Sequence, residues 1–256
     1  MSQLKYLWLV LLVGHGAALA AQDPQELLGA SDAIRNPGRP FSVKLTLTEF
    51  DAGKQVDTSV LESYSRARDD GGQFASIVRF LMPPRDQGKL MLRNGDDMWF
   101  FDPNTKASVR LSPQQRLLGQ ASNGDVVTVN LAKDYLAKLS AEEEVVDGER
   151  RRRNAYKLAL TANTPTATYA TVELWVDAEN NRPIKARFFA ESGRLLKTVY
   201  YRRYEQQLGK DRPTETVIID GLNPQSVTLI RYSEFATPAI PLTWFNRDHL
   251  PNFRPN

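Results

Sequence analysis

The sequence contains no cysteine and only two histidines, His15 and His249. Disulfides, thiol chemistry and cysteine-based zinc sites are therefore excluded. A Ser-His-Asp triad would have to use His249, since His15 lies in the N-terminal leader, and no G-x-S-x-G motif accompanies it. We expect neither a metal, nor a cofactor, nor triad chemistry.

Excess charge is also scarce, because the formal net charge is only +3. This bias is too small to indicate nucleic-acid binding. The basic cluster ERRRRN at Glu149–Asn154 is typical of a solvated hairpin loop. Its alternative interpretation is contact with an anionic membrane surface or an acidic partner.

No apolar run is long enough to span a bilayer. The run LWLVLLV at Leu7–Val13 follows Lys5 and precedes the small-residue pattern ALA at Ala18–Ala20. This order predicts a cleavable signal peptide, residues 1–20, with an uncleaved anchor as the alternative. Without a cysteine it cannot be a lipoprotein signal. The mature chain, 21–256, shows no linker and is expected to form a single domain.

The predicted secondary structure consists mainly of strands. A short helix is predicted over Asp23–Arg35, with Asp23 as its cap and Pro24 in its first turn. About eleven strands separated by short turns follow, which favours antiparallel neighbours. We predict a mainly β (α+β) fold, with one continuous, strongly curved or half-closed antiparallel sheet and a few helices on one side.

The stretch NGDDMWFFDPNT at 94–105 predicts two turns around one strand. A hairpin centred on Asn94-Gly95 pairs Leu90 with Trp99. A three-residue loop in DPNT, with positive φ at Thr105, would place Val109 opposite Trp99. A two-residue loop would instead place Ser108 opposite Trp99. Asp97 and Asp102 then lie about 17 Å apart at opposite ends of the strand, too far for paired catalytic carboxylates.

That strand is apolar on both faces, since Met98 and Phe100 alternate with Trp99 and Phe101. Either the sheet is covered on both sides, or one face lines an apolar concavity for a lipid-like ligand. The candidate cavity residues share a predicted apolar face on their strands. They are Val43, Leu45, Leu47, Leu90, Leu92, Trp99, Phe101 and Val109.

Two segments resemble the LolA-like outer-membrane lipoprotein-sorting proteins. They are SIVRFLMPPRDQGKLMLRNGDDMWFFDPNTKASVRLSPQQR at 76–116 and LWVDAENNRPIKARFFAESGRLLKTVYYRRYE at 174–205. The resemblance covers about residues 24–250. It implies an unclosed antiparallel β-barrel whose helices form a lid over a hydrophobic concavity, and a periplasmic carrier of lipoprotein acyl chains or other lipids towards the outer membrane.

The resemblance also implies partners and a lid. An inner-membrane exporter and an outer-membrane acceptor would hand the lipid on, and the carrier would act as a monomer in a Gram-negative-type envelope. We hypothesise that two predicted helical segments fill the cavity when it is empty. Their candidate lid residues are Leu27, Leu28, Ile34, Arg116, Leu117 and Leu118.

Two other functions stay open. The same scaffold could serve as a binding or sensor module that partners a lipid exporter or an envelope-stress signalling protein. A secreted hydrolase would need a carboxylate pair that nothing in the sequence singles out. We therefore expect a binding protein rather than an enzyme.

Overall fold

The first helix begins where its capping residues predict. A computed structural model describes residues 22–68, 73–165 and 167–255, and the predicted signal peptide lies outside them. Helix α1 spans Pro24–Arg35, and the Asp23 carboxylate accepts a hydrogen bond from the Gln25 amide at 2.8 Å. In the described part of the chain, no helix is both long and apolar enough to cross a membrane.

Most of the chain forms one sheet. Within the described ranges, thirteen antiparallel strands join edge to edge, and the two outermost strands do not pair with each other, so the curved sheet is unclosed. This confirms the predicted half-closed architecture. The strands of this sheet are β1 (Phe41–Asp51), β2 (Lys54–Ala67), β3 (Phe74–Met82), β4 (Leu90–Asn94), β5 (Asp97–Asp102), β6 (Ala107–Arg110), β9 (Tyr135–Val146), β10 (Arg152–Ala162), β11 (Thr171–Asp177), β12 (Pro183–Phe189), β13 (Leu195–Gln207), β14 (Lys210–Asp220) and β15 (Ser226–Ala236).

The two ends of the chain meet in the middle of this sheet. Strand β1 lies between β2 and β15, so Leu45 faces Leu61 on one side and Tyr232 on the other. Lys44 and Glu234, 190 residues apart in the sequence, form an ion pair of 2.6 Å across the same junction. Strands β6 and β9 are left as the two edges.

The segment between β6 and β9 lies over one face of the sheet, which we call the inner face. It forms a small hairpin, β7 (Arg116–Leu118) and β8 (Ala121–Ser122), and two single-turn helices, α2 (Asn123–Val126) and α3 (Leu131–Asp134). Helix α1 lies beside α3. We call α1 together with residues 123–134 the cover. Its apolar side chains join the main core on the inner face.

The C-terminal segment covers the opposite, outer face of β2–β5. It forms two short 3₁₀ helices, Leu242–Phe245 and Arg247–Asn252. The Trp244 ring packs edge-on against Phe253, with 4.8 Å between the ring centres. We call this second cluster the outer core. Its members are Tyr64, Ala75, Ile77, Leu90, Leu92, Phe101, Ile240, Phe245, Leu250 and Phe253, with Trp99 and Trp244 at its margin.

The β4–β5 hairpin differs in register from the prediction. Its central residues are Gly95 and Asp96, so that Leu92 pairs with Trp99. The predicted register is displaced by two residues, and a displacement of two keeps every side chain on its predicted face. Leu90, Leu92, Trp99 and Phe101 therefore do share one face.

The β5–β6 loop contains four residues, not three. Asp102 pairs with Ala107, and the positive φ of 57° falls on Lys106 instead of Thr105. Val109 consequently lies opposite Phe100 rather than Trp99. The predicted loop length is wrong, and Val109 moves to the inner face of an edge strand, where it is 52% exposed.

The basic cluster lies in the β9–β10 loop and at the start of β10, and acidic residues beside it supply counter-charges. The Asp147 carboxylate accepts hydrogen bonds from the amides of Glu149 and Arg151 and pairs with Arg153 at 3.1 Å. Arg152 pairs with Glu144 across the hairpin at 2.8 Å. These pairs agree with a solvated hairpin loop.

Candidate functional site

A cavity lies between the inner face and the cover. The cavity volume accessible to water is about 150 Å³. This is roughly ten times the accessible volume that one water molecule requires. Most of its wall is apolar. The lining residues are Arg35, Asn36, Phe41, Val43, Leu45, Ser63, Gly124, Asp125, Val126, Val127, Thr128, Val129, Leu131, Asp134, Tyr135, Thr168, Tyr169, Phe188, Val199, Tyr201, Pro213, Thr216, Ile218, Ile230, Tyr232 and Phe235.

The apolar floor follows from strand periodicity. Side chains two residues apart on a strand share a face, so Val43 and Leu45 of β1 both point inward, as do Ile218 of β14 and Ile230 of β15. The neighbouring β13 contributes Val199 in the same way. Because these strands are adjacent, their inward side chains form one continuous apolar surface.

The two parts of the cover are joined by side-chain hydrogen bonds. The Gln25 amide of α1 donates to the backbone oxygens of Ala132 and Tyr135 at 2.9 and 3.1 Å. At the other end of α1, the Asn36 amide donates to the oxygen of Val129 at 2.8 Å. These bonds tie α1 to the loop and helix beside it, so the cover is built as a unit.

Two buried ion pairs attach this unit to the sheet. Asp125 of α2 pairs with Lys197 of β13, and Asp134 of α3 pairs with Arg93 of β4 at 3.5 Å. Burial lowers the pKa of Lys197, whereas the neighbouring Asp125 carboxylate opposes that shift. The Tyr169 hydroxyl also donates to Asp125 at 3.0 Å. In both pairs the acid belongs to the cover and the cation to the sheet.

The loop between α2 and α3 contacts the sheet through polar groups. The Thr128 hydroxyl lies 2.7 Å from that of Ser65, and the Thr128 amide donates to Ser76 at 3.3 Å. Gln73 and Asn130 exchange two hydrogen bonds of 2.6 and 2.9 Å. Each such bond contributes only about 0.5–1.5 kcal/mol net, because water replaces it when the partners separate.

The predicted cavity residues of β1 lie where expected. Val43 and Leu45 line the cavity, and Leu47 is fully buried in the main core on the same face. Their contact with a ligand stays a prediction. The alternation of apolar and polar residues in FSVKLTLTEF is the signal that identified this face.

The predicted cavity residues of the β4–β5 hairpin lie elsewhere, which corrects their assignment. Leu90, Leu92, Trp99 and Phe101 belong to the outer core beneath the C-terminal segment. The inner face of this hairpin carries Met91, Met98 and Phe100 instead. Both faces are apolar because both are covered, so hydrophobicity could not show which one meets the cavity. Val109 is exposed and does not line the cavity.

The predicted lid residues divide in the same way. Leu27 and Leu28 of α1 are buried in the main core, and Ile34 is half-buried at the end of that helix. The predicted helix at Arg116 is instead strand β7, where Arg116 is exposed. Leu117 and Leu118 of that strand are half-buried against the core. A role of either group in filling the cavity stays a prediction.

Several polar residues of the site are not predicted from the sequence. Lys197 precedes Val199 and Tyr201 at the inward spacing of β13, and Arg93 follows Met91 on β4 in the same way. A lysine or arginine among otherwise apolar, inward-facing residues of a strand predicts a buried ion pair, because a buried charge needs a partner. The partners, Asp125 and Asp134, cannot be deduced from sequence spacing. Among the described residues, no three His, Asp or Glu side chains are grouped closely enough to hold a metal ion.

An unclosed antiparallel sheet that curves around an apolar cavity beneath a helical cover defines a half-barrel binding scaffold. The crystal structure of a LolA superfamily protein from Nitrosomonas europaea is similar, with 34% identity, a TM-score of 0.79, and coverage of 90% of this chain and 100% of that chain. A family model described as "Uncharacterized protein" matches residues 72–252. This chain belongs to the LolA superfamily.

More distant structures share the fold. A DUF1329 family protein from Desulfovibrio piger matches with 22% identity and a TM-score of 0.74, over 89% of this chain and 99% of that chain. A domain from Vibrio parahaemolyticus described as an outer membrane lipoprotein-sorting protein matches with 18% identity and a TM-score of 0.72, over 89% and 98%. No curated protein matches the sequence at a significant level.

Proposed function

We propose that this protein is a periplasmic carrier that binds the acyl chains of lipoproteins or other lipids in the cavity and moves them towards the outer membrane. The observation that carries this proposal is the apolar floor of the cavity, which lies beneath a cover held to the sheet by apolar packing, hydrogen bonds and two ion pairs. Each methylene buried against that floor contributes about 0.8 kcal/mol. The predicted signal peptide supports the periplasmic location.

Movement of the cover is part of this proposal. The open volume is small for a long acyl chain, so a full-length chain enters only when the cover shifts. Leu27 and Leu28 then leave the main core, where they are now buried. That loss offsets part of the lipid's binding free energy and lets the lipid be released. Lifting this loop also breaks the hydrogen bonds of Thr128 and Asn130 with the sheet, which adds to that loss.

A binding role is favoured over a catalytic one by the state of the acids at the cavity. Asp125 and Asp134 each face a buried cation and are therefore neutralised in pairs. Asp97 and Asp102 lie at opposite ends of β5, and Asp97 pairs with Arg110 at 2.7 Å.

We propose that residues 21–256 work as one domain, which the pairing of β1 with β15 supports. An inner-membrane exporter and an outer-membrane acceptor are the proposed partners.

The test is uptake of a fluorescent fatty acid, together with native mass spectrometry of the protein purified from the cell envelope. Val43→Phe puts extra volume into the cavity and should weaken uptake roughly tenfold, since displacing two methylenes costs about 1.6 kcal/mol. Trp99→Ala is the matched control, because Trp99 lies at the outer core. We expect it to leave uptake unchanged.

Absence of bound lipid together with failure to take up the fatty acid would refute the carrier function. A stable protein partner in place of lipid would favour the sensor module instead.

A further inference from the structure

Arg35 places a partly unsatisfied cation at one end of the apolar cavity. It is the last residue of α1 and lines the cavity beside Asn36. Its Nη2 atom donates to the Asp32 carboxylate and, at 3.3 Å, to the oxygen of Val129. Within the described residues, its Nε and Nη1 atoms have no hydrogen-bond partner, although both carry N–H donors.

Two phenol groups line the same cavity as this cation. Tyr201 and Tyr232 both line the cavity, and Arg35 acts electrostatically on each of them. The Tyr232 hydroxyl accepts a hydrogen bond from Thr216 at 3.4 Å. The Tyr201 hydroxyl has no partner in the described part of the chain, although this side chain is only 9% exposed.

The negative groups nearby are already committed. The Asp32 carboxylate accepts from Arg35 and, at 2.7 Å, from the Ala132 amide. The carbonyl end of α1 is neutralised by Arg212, whose Nη1 donates to the oxygens of Ala33 and Ile34 at 3.3 and 2.7 Å. The negative pole of the helix is therefore partly neutralised.

We propose that Arg35, Tyr201 and Tyr232 bind the anionic headgroup, a carboxylate or a phosphate, of a lipid whose acyl chain lies on the apolar floor. This inference rests on the proposed carrier function and names the chemistry of its ligand. An arginine edge presents two N–H groups in the geometry of a carboxylate or phosphate. The adjacent Val199 and Ile218 continue from this polar end into the apolar floor.

The test compares lipids that share one chain and differ in the head. Dodecanoic acid, dodecyl phosphate and dodecanol are titrated into the full-length mature protein by calorimetry at neutral pH. We expect at least one anion to bind roughly ten- to a hundredfold more tightly than the alcohol, as one or two charge-assisted hydrogen bonds would give. Dodecanoic acid or dodecyl phosphate as the tighter ligand identifies which anion the site takes.

Variants separate this site from general electrostatics. Arg35→Gln and Tyr201→Phe should each reduce the ratio of the affinity for the anion to the affinity for dodecanol. Tyr201→Phe keeps the ring and so preserves the fold if Arg35→Gln does not. Arg39→Gln is the control, since Arg39 is exposed beyond the end of the same helix and does not line the cavity.

Equal binding of acid, phosphate and alcohol by the unmodified protein would overturn the headgroup site while leaving the carrier function intact. A preference that survives both Arg35→Gln and Tyr201→Phe would also overturn it. Failure of all three lipids to bind would instead refute the carrier function, and this site with it.

Discussion

Lys197 of β13 and Asp125 of α2 form an ion pair beneath the cover, with the lysine side chain only 3% exposed. Removing one partner leaves the other charge buried and unpaired, which costs about 3–5 kcal/mol. We therefore expect Lys197→Met to destabilise the protein by that amount. Asp125→Asn should cost a similar amount while keeping the side-chain oxygen that accepts from the Ser122 amide.

The double variant is the decisive measurement for this pair. Urea unfolding should show that Lys197→Met combined with Asp125→Asn is less destabilised than the sum of the single variants, because no charge is then left unpaired. Strict additivity would show that the two residues do not interact.

Tyr201 predicts a loss of stability at alkaline pH. Burial raises the pKa of Tyr201 to about 12, above the ordinary value of 10. Because the pKa is higher in the folded than in the unfolded state, the neutral Tyr201 hydroxyl contributes its full stabilisation below pH 10. This contribution is lost as the pH rises through about 12. Between these values the free energy of unfolding should fall by about 1.4 kcal/mol per pH unit for this group. Tyr201→Phe should make that fall shallower in urea titrations, and an unchanged slope would contradict the prediction.

Phe253 anchors the C-terminal segment over the outer core. It is 4% exposed and packs edge-on against Tyr64 at 5.8 Å between ring centres. Phe253→Ala should cost about 3–5 kcal/mol. The control is Leu242→Ala in the same segment, which is 57% exposed and should change stability by less than about 0.5 kcal/mol. Thermal unfolding that affects both variants equally would show that the segment is not anchored through its buried aromatic residues.

Gly119 is restricted both by its backbone and by its surroundings. Its φ is +52°, and a Cβ atom there would collide with the Thr228 hydroxyl. This hydroxyl accepts a hydrogen bond from the Gln120 amide at 2.7 Å. Gly193 also has a positive φ, +76°, but nothing lies within 4 Å of its Cβ position. Gly193→Ala should therefore cost about 1–2 kcal/mol through backbone strain alone. Gly119→Ala should cost clearly more in the same unfolding assay, and equal losses would show that the collision is relieved without cost.

Local patterns predict part of the fold well. The Asp23-Pro24 start of α1 is confirmed, as is the inward face of β1 with Val43 and Leu45. Both rest on interactions within a few residues, namely capping and the two-residue period of a strand. The Asn94-Gly95 turn identifies the hairpin but not its register, because the central pair is Gly95-Asp96.

Patterns fail where two distant parts of the chain decide the outcome. Trp99 and Phe101 are as apolar as the Met98 and Phe100 that face the main core. Only the C-terminal segment, with Trp244 and Phe253, makes the first pair part of the outer core. In the sequence Arg35 is an ordinary arginine at the end of a helix, and only the fold brings Tyr201 and Tyr232 of the distant strands β13 and β15 to the same cavity.

The sequence by itself determined the mainly antiparallel strand pattern, the capped first helix and the scarcity of chemical groups for catalysis, because each depends on neighbouring residues or on composition. The tertiary structure alone decided which apolar face meets the cavity and which meets the C-terminal segment. It also decided that Asp125 pairs with Lys197 and that Arg35 lines the same cavity as two tyrosines. Those relations depend on β1 pairing with β15 and on the cover folding across the sheet. Both bring together residues far apart in the chain, for which spacing carries no information.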